Sequence, residues 1–230
     1  MRIAQISDSH ISQQHPQRLA DLQSAVDAVN ERAPDLVLHT GDVAHDATDT
    51  EYRQAFEIMA SLNAPYFVIP GNRDKREPLG AVFGEHLQYH EGYVQYTIDS
   101  YPCRILMLDT VSQNSNKGQL CSTRLEHAIS VLNSDDTRPL LVFMHHTPYD
   151  VSEIPEPFQF ESREAVEQLA AAFVACNTLK AVYCGHVHRN VQSTIGHLPV
   201  SAISCMARDL RKGQLSDDDK TRPMYRIIDV

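Results

Sequence analysis

The sequence predicts an α/β fold built around a parallel sheet with crossover helices. Three observations lead there. Short β-rich apolar runs alternate with stretches of helical periodicity, the runs stop at turn residues, and no repeat, low-complexity tract or long linker divides the chain. Residues 1–230 therefore read as one domain. Residues 2–6 (RIAQI) form an apolar run that ends at Ser7-Asp8. Leu19, Leu22, Val26 and Val29 recur at steps of three and four, which is one apolar stripe on a helix starting near Pro16. Residues 36–38 (LVL) stop at Thr40-Gly41-Asp42. Phe56, Met59, Ala60 and Leu62 indicate a second helix, and the strand 66–69 after it stops at Pro70-Gly71-Asn72.

The middle of the chain changes character. Residues 93–99 alternate, 104–108 are apolar, and Ser100-Tyr101-Pro102 separates them, so an antiparallel hairpin is expected. Thr123-x-x-Glu126 has the spacing of a capping box for a helix through Leu132. A strand at 140–144, a helix at about 162–176 and a strand at 179–184 restore the alternation. Short strand-like pieces in 191–205 and 224–230 surround a polar loop at 211–222.

Thirty acidic against 20 basic residues give a formal charge of −10, which disfavours polymeric nucleic acid and anionic membrane as partners. Five cysteines without a C-x-x-C pair indicate neither a disulfide framework nor a thiolate zinc site, and read as buried thiols. The first residues lack the apolar core of a signal peptide, and no apolar run approaches the roughly 18 residues of a membrane span. A reducing cytoplasm is the expected location.

Twelve histidines are the compositional anomaly. Five predicted strands each end in side chains able to bind a metal: Asp8 and His10 after the first, Asp42 after the second, Asn72 after the third, His145 after 140–144, and His186 and His188 after 179–184. Ligands bind open α/β sheets at the carboxyl ends of the strands, so all seven are expected on one rim. Glycine precedes Asp42, Asn72 and His186 and permits a tight exit turn. Imidazole, carboxylate and amide donors without thiolate suit Mn, Fe, Zn or Co. Seven ligands exceed one tetrahedral ion; two ions about 3.5–4 Å apart, sharing a carboxylate, fit the number. Asp-x-His, Gly-Asp or a single histidine after a strand is common by itself, and the order and matching placement supply the specificity.

With Asp8-Ser9-His10, Gly41-Asp42, Gly71-Asn72-Arg73-Asp74, His145 and Gly185-His186-Val187-His188 in that order, the chain resembles the calcineurin-like metallophosphoesterase superfamily over nearly its whole length. Within it, residues 6–10, 39–44, 144–148 and the Gly118-Gln119-Leu120 segment are most similar to the bacterial class III cyclic-nucleotide phosphodiesterase and glycerophosphodiesterase group. The resemblance implies a four-layer α/β/β/α sandwich of two mixed sheets. It assigns one divalent ion to Asp8, His10, Asp42 and His188 and another to Asp42, Asn72, His145 and His186, with Asp42 bridging. It further implies hydrolysis of small phosphodiesters, such as a 3',5'-cyclic nucleotide or a glycerophosphodiester, by a metal-held hydroxide. His146 is the alternative to His145.

One position departs from the pattern: Arg73 stands where the family has histidine. The family histidine serves the leaving-group side. Arginine stays protonated and is a poor general acid, but its fork of donors can stabilise phosphoryl charge. Arg73, Asn72, Asp42 and His10 are thus the expected catalytic residues. Asp74 is expected to support the rim, with the role of His45, just beyond Asp42, left open between that support and none; His39 is expected to be a packed strand end, and His15, His86, His90, His127 and His197 to lie on the surface. Residues 149–163 are expected to border the pocket. A small-molecule phosphoester is the expected partner, and a homo-oligomer fits the resemblance. A phosphomonoesterase or nucleotidase using the same ions is the first alternative; a catalytically weak interaction scaffold is the second.

Overall fold

The computed structural model describes residues 1–230. The strands form two mixed sheets. In the first, β1 (Arg2–Ile6), β2 (Leu36–His39) and β3 (Tyr66–Val68) run parallel, and β10 (Arg226–Asp229) closes the β1 edge antiparallel. The second has the order β4-β5-β6-β7-β9-β8. Its parallel centre comprises β5 (Arg104–Leu108), β6 (Leu140–Met144), β7 (Leu179–Cys184) and β9 (Leu198–Ala202), flanked by antiparallel β4 (Tyr96–Ile98) and β8 (Val191–Ile195).

Alternation along the central strands explains the layering. Ile105, Met107, Leu141 and Phe143 pack with Ile3, Leu36 and Val68 of the other sheet, whereas Leu106, Leu108, Val142 and Met144 pack with α4 (Ser122–Leu132) and α5 (Arg163–Ala175). Successive side chains of a strand point to opposite faces, so a strand apolar throughout must be covered on both sides. Leu22, Ala25, Val26 and Val29 of α1 (Gln17–Glu31) and Tyr52, Ala55 and Met59 of α2 (Asp49–Met59) cover the outer face of the first sheet. The result is the expected four-layer α/β/β/α sandwich. Each fully buried Leu, Ile or Phe in it contributes roughly 1.5–3 kcal/mol.

Several local expectations change. The helix around residue 123 begins two residues earlier: Cys121 is its N-cap, with no side-chain cap, and Thr123 lies inside the first turn. Cys121 is also the one cysteine that is not buried. Burial raises its pKa, but hydrogen bonds from Tyr93 and Arg124 outweigh that and lower the thiol to about 7. Two helices were not anticipated, α3 (Arg76–Phe83) and the short α6 (Asp217–Thr221) inside the polar loop. Of the histidines expected on the surface, His197 is exposed and His15, His86, His90 and His127 are half-buried. His86 stacks on Tyr66 at 3.8 Å, and His90 stacks on His127 at 3.9 Å. No helix is long and apolar enough to cross a membrane.

Two ion-pair networks, the first around a fully buried Asp109 and the second half-buried, brace the loops at the strand ends. The carboxylate of Asp109, just after β5, accepts from Arg76 at 2.6 and 2.8 Å and sits 3.5 Å from Arg124, joining α3 to α4. Arg18 of α1 reaches Asp209 at 2.7 Å and donates to the His10 carbonyl at 3.1 Å.

Candidate metal centre

The parallel strands of both sheets end at the same rim, and all seven side chains expected to bind metal meet there. Asp8, His10, Asp42 and His188 offer ligand atoms within 4.8 Å of one another. His10 Nε2 faces His188 Nε2 at 3.1 Å and Asp42 Oδ2 at 3.4 Å, and His188 Nε2 lies 3.4 Å from Asp8 Oδ1. Beside this cluster, Asn72 Oδ1 lies 3.1 Å from His145 Nε2 and 2.8 Å from His186 Nδ1. Asp42 joins the two groups, since its Oδ1 sits 3.6 Å from His145 Nε2 while its Oδ2 faces His10.

The backbone reaches this arrangement through unusual conformations. Eight non-glycine residues have positive φ, and five are Asp8, His10, Asp42, His186 and His188, at 45° to 70°. Left-handed backbone costs an ordinary residue roughly 1–2 kcal/mol. Such strain concentrates where the surroundings hold a residue in place for function. The glycines beforehand allow the loops to touch. A Cβ on Gly185 would fall 2.1 Å from Ser7 Oγ and 2.6 Å from Asp8 Oδ2. At Gly41, with φ of +98°, it would fall 2.6 Å from the backbone nitrogen of Gly71.

Hydrogen bonds behind the rim decide which ring nitrogens face inward as lone pairs. His145 Nδ1 donates to the Thr40 carbonyl at 2.8 Å, His188 Nδ1 to the Leu210 carbonyl at 3.1 Å, and His186 Nε2 to Gln159 Oε1 at 2.7 Å. A neutral imidazole has one N–H, so the opposite nitrogens of His145 and His186 are free acceptors; burial lowers the pKa of His188, but its hydrogen bond to Asp8 and the Asp8 charge outweigh that and raise it. His10 Nδ1 is backed by His45 Nδ1 at 3.5 Å, which places His45 against the rim. His39 is fully buried, contacts Ser9 Oγ through Nε2 and accepts from the Gly41 N–H. The Asp74 carboxylate accepts from the backbone N–H groups of Val43, Ala44 and Gly71 and from the Tyr52 hydroxyl, clamping the loops that carry Asp42 and Asn72.

Charge in this pocket is unbalanced. Burial lowers the pKa of His10, His145 and His186, so these rings are neutral near pH 7. Burial raises Asp8, but the surrounding imidazoles, His188 foremost, more than reverse that and keep it ionised. Burial, and then the charges of Asp8 and Asp74, push Asp42 well above the usual carboxylate range. Asp8 Oδ2 accepts from Ser7 Oγ at 2.5 Å and from the backbone N–H of His186 at 3.1 Å, but its buried Oδ1 has no hydrogen-bond partner. An orphaned buried carboxylate oxygen, two crowded carboxylates and several lone pairs aimed at one another lack only positive charge. The donor set fits divalent cations.

His146 also lies within reach of His145 and His186. Both its nitrogens are occupied, however, by Thr110 Oγ1 at 2.8 Å and the Asn116 carbonyl at 3.1 Å. Its ring packs edge-on against His145 and Phe160 and lies 4.4 Å from that of His186. Arg73 donates its backbone N–H to Asp42 Oδ1 at 2.7 Å, while its side chain is exposed on the wall of a polar cavity of about 620 Å³ that includes Asn72, Arg76, Ser112 and Gln113. A second cavity, about 330 Å³, opens beside His186 and is bordered by Ile154, Pro155, Glu156 and Gln159, as expected of the 149–163 segment. Gln159 itself was not anticipated. A glutamine in an irregular loop carries no spacing signal, and neither do the carbonyls of Thr40 and Leu210.

Residues 1–190 match the family described as Calcineurin-like phosphoesterase. The chain is 31% identical over 229 residues to a probable glycerophosphodiester phosphodiesterase from Arcobacter nitrofigilis, covering 92% of this chain and 82% of that one. It is 28% identical over 239 residues to a 3',5'-cyclic adenosine monophosphate phosphodiesterase from Pseudomonas aeruginosa, covering 98% and 84%. Among solved structures, a dimetal phosphatase from Danio rerio superposes with a TM-score of 0.74 at 13% identity, over 99% of this chain and 91% of that one. At that identity the likeness concerns the fold.

Proposed function

The chain belongs to the calcineurin-like phosphoesterase family, and from that premise we propose that it hydrolyses small phosphodiesters at a centre of two divalent cations. The observation that carries this reading is Asp42, whose two oxygens face separate donor groups. Asp8, His10, Asp42 and His188 would hold one cation, and Asp42, Asn72, His145 and His186 the other. When bound, such cations supply Lewis-acid polarisation of phosphoryl oxygens and lower the pKa of water.

The chain's own groups do the rest. Thr40, Leu210, Gln159 and His45 fix the ring orientations, and Asp74 fixes the loops. Asn72 and Arg73 stand together at the polar cavity, where the guanidinium is free to donate to phosphoryl oxygens and stabilise developing charge. It does not readily protonate a departing alkoxide. Esters with good leaving groups should therefore react best, and Arg73→His should flatten the dependence of rate on leaving-group pKa. Equal dependence in both proteins would contradict this role.

Diester specificity is supported by the relatives named above, which are phosphodiesterases by description. Hydrolysis of bis-p-nitrophenyl phosphate and p-nitrophenyl phosphate with added Mn tests it. Faster diester hydrolysis is expected; preference for the monoester would favour a phosphomonoesterase, and an inert, metal-free protein a scaffold. Gln159→Leu removes the acceptor behind His186 and should weaken binding of the nearby cation by about 10–100-fold in a metal titration, sparing the other. Because the donors span Asp8 to His188 and come from both sheets, we treat residues 1–230 as one catalytic unit. Five unpaired cysteines accord with a cytoplasmic location.

A further inference from the structure

Beside His186, three cations gather at the 330 Å³ cavity: Lys117, Arg189 and Lys212, together with Asn116 and Gln159. In a chain of formal charge −10 this is a local reversal of sign. Their neighbours do not neutralise them equally. Lys117 pairs with Glu156 at 3.2 Å. Arg189 donates through Nη1 to the Glu153 carbonyl at 2.8 Å, a neutral partner, and its buried Nε has none. The Lys212 side chain is exposed, and its charge is felt at both His186 and His188.

The placement is built into the site. Arg189 directly follows His188, and the Lys212 backbone N–H donates to the His188 carbonyl at 2.9 Å, so both cations are pinned to the turn that presents the two histidines. We propose that Arg189 and Lys212, with Lys117, form a subsite for a second anionic group, a carboxylate or phosphate carried on one arm of the phosphoester whose phosphorus lies at the metal centre. This rests on the phosphodiesterase reading and narrows its substrate class. The cavity wall includes no phenylalanine, tyrosine or tryptophan for a base to stack on. The specificity of the cavity is electrostatic: an arginine without a carboxylate partner favours a planar or tetrahedral oxyanion, and the protein's net charge repels anions from most other surfaces.

Two phosphonates that differ only at the far end test the subsite without requiring turnover. Butylphosphonate and 4-phosphonobutyrate are titrated calorimetrically into the Mn-loaded full chain. The carboxylate compound should bind about tenfold tighter, the ratio expected from one charge-assisted hydrogen bond. In Arg189→Gln/Lys212→Gln that ratio should fall toward one. Equal affinities in the wild type, or an undiminished ratio in the variant, overturn the subsite while leaving the phosphodiesterase reading intact. Failure of both phosphonates to bind overturns the metal-centre reading and the subsite with it, an outcome that bis-p-nitrophenyl phosphate hydrolysis distinguishes.

Discussion

Asp42→Asn should lower phosphodiester hydrolysis by on the order of 10³-fold or more, equivalent to about 4 kcal/mol of activation free energy, and reduce the bound cations from two to one or none. Asp42 alone presents an oxygen to each donor group, 3.4 Å from His10 Nε2 and 3.6 Å from His145 Nε2. Asparagine keeps the shape but replaces one acceptor by a donor and removes the negative charge. The stability effect should change sign with metal. Burial and the neighbouring Asp8 and Asp74 raise the pKa of Asp42 in the folded protein above its unfolded value. A carboxyl raised in this way costs stability once pH exceeds the unfolded carboxylate range, and the full penalty holds above the folded value. Without metal, the asparagine variant should therefore melt higher than wild type at neutral pH, with the difference fading toward pH 4. With Mn, wild type should melt higher. A calorimetric series with and without chelator checks both signs, and a variant less stable than wild type in chelator would contradict the balance of charge described here.

Gly41→Ala should lower Tm by about 10 °C. Gly41 has φ of +98°, outside the range an alanine adopts without strain. The added Cβ would meet the Gly71 nitrogen at 2.6 Å and Gly71 Cα at 2.8 Å, and backbone cannot turn aside as a flexible side chain can. Strain and clash together place the cost at roughly 3–5 kcal/mol, and a chain of this length loses about 2–4 °C per kcal/mol. Gly84→Ala is the control: nothing lies within 4 Å of its new Cβ, so its Tm should stay close to wild type. A small loss at Gly41 would mean that the Asp42 and Asn72 loops are looser than their contact implies.

The strand ends were legible because their signal is discontinuous. Each apolar run in β1, β2, β3, β6 and β7 stops at a proline, glycine or polar residue, and a metal-competent side chain follows within a few positions. The antiparallel β4–β5 pair was legible for the same reason, from alternation followed by Ser100-Tyr101-Pro102. What orients the rim was not. The partners of His145 and His188 are backbone carbonyls, which every residue carries, and Gln159 comes from a loop without periodicity. Helix starts divided on side-chain chemistry: Thr48 and Glu51 form a true capping box for α2, whereas the same spacing at Thr123–Glu126 falls inside α4, whose Cys121 cap uses no side-chain bond. A pattern three residues apart cannot tell the first turn from the one before it. His86, His90 and His127 were misjudged because stacking on distant rings is invisible to local polarity.

Anomalous diffraction from crystals grown with Mn tests the central claim most directly. Two peaks are expected, one among Asp8, His10, Asp42 and His188 and the other among Asp42, Asn72, His145 and His186, with Asp42 touching both. A single peak, or two that share no carboxylate, would contradict it.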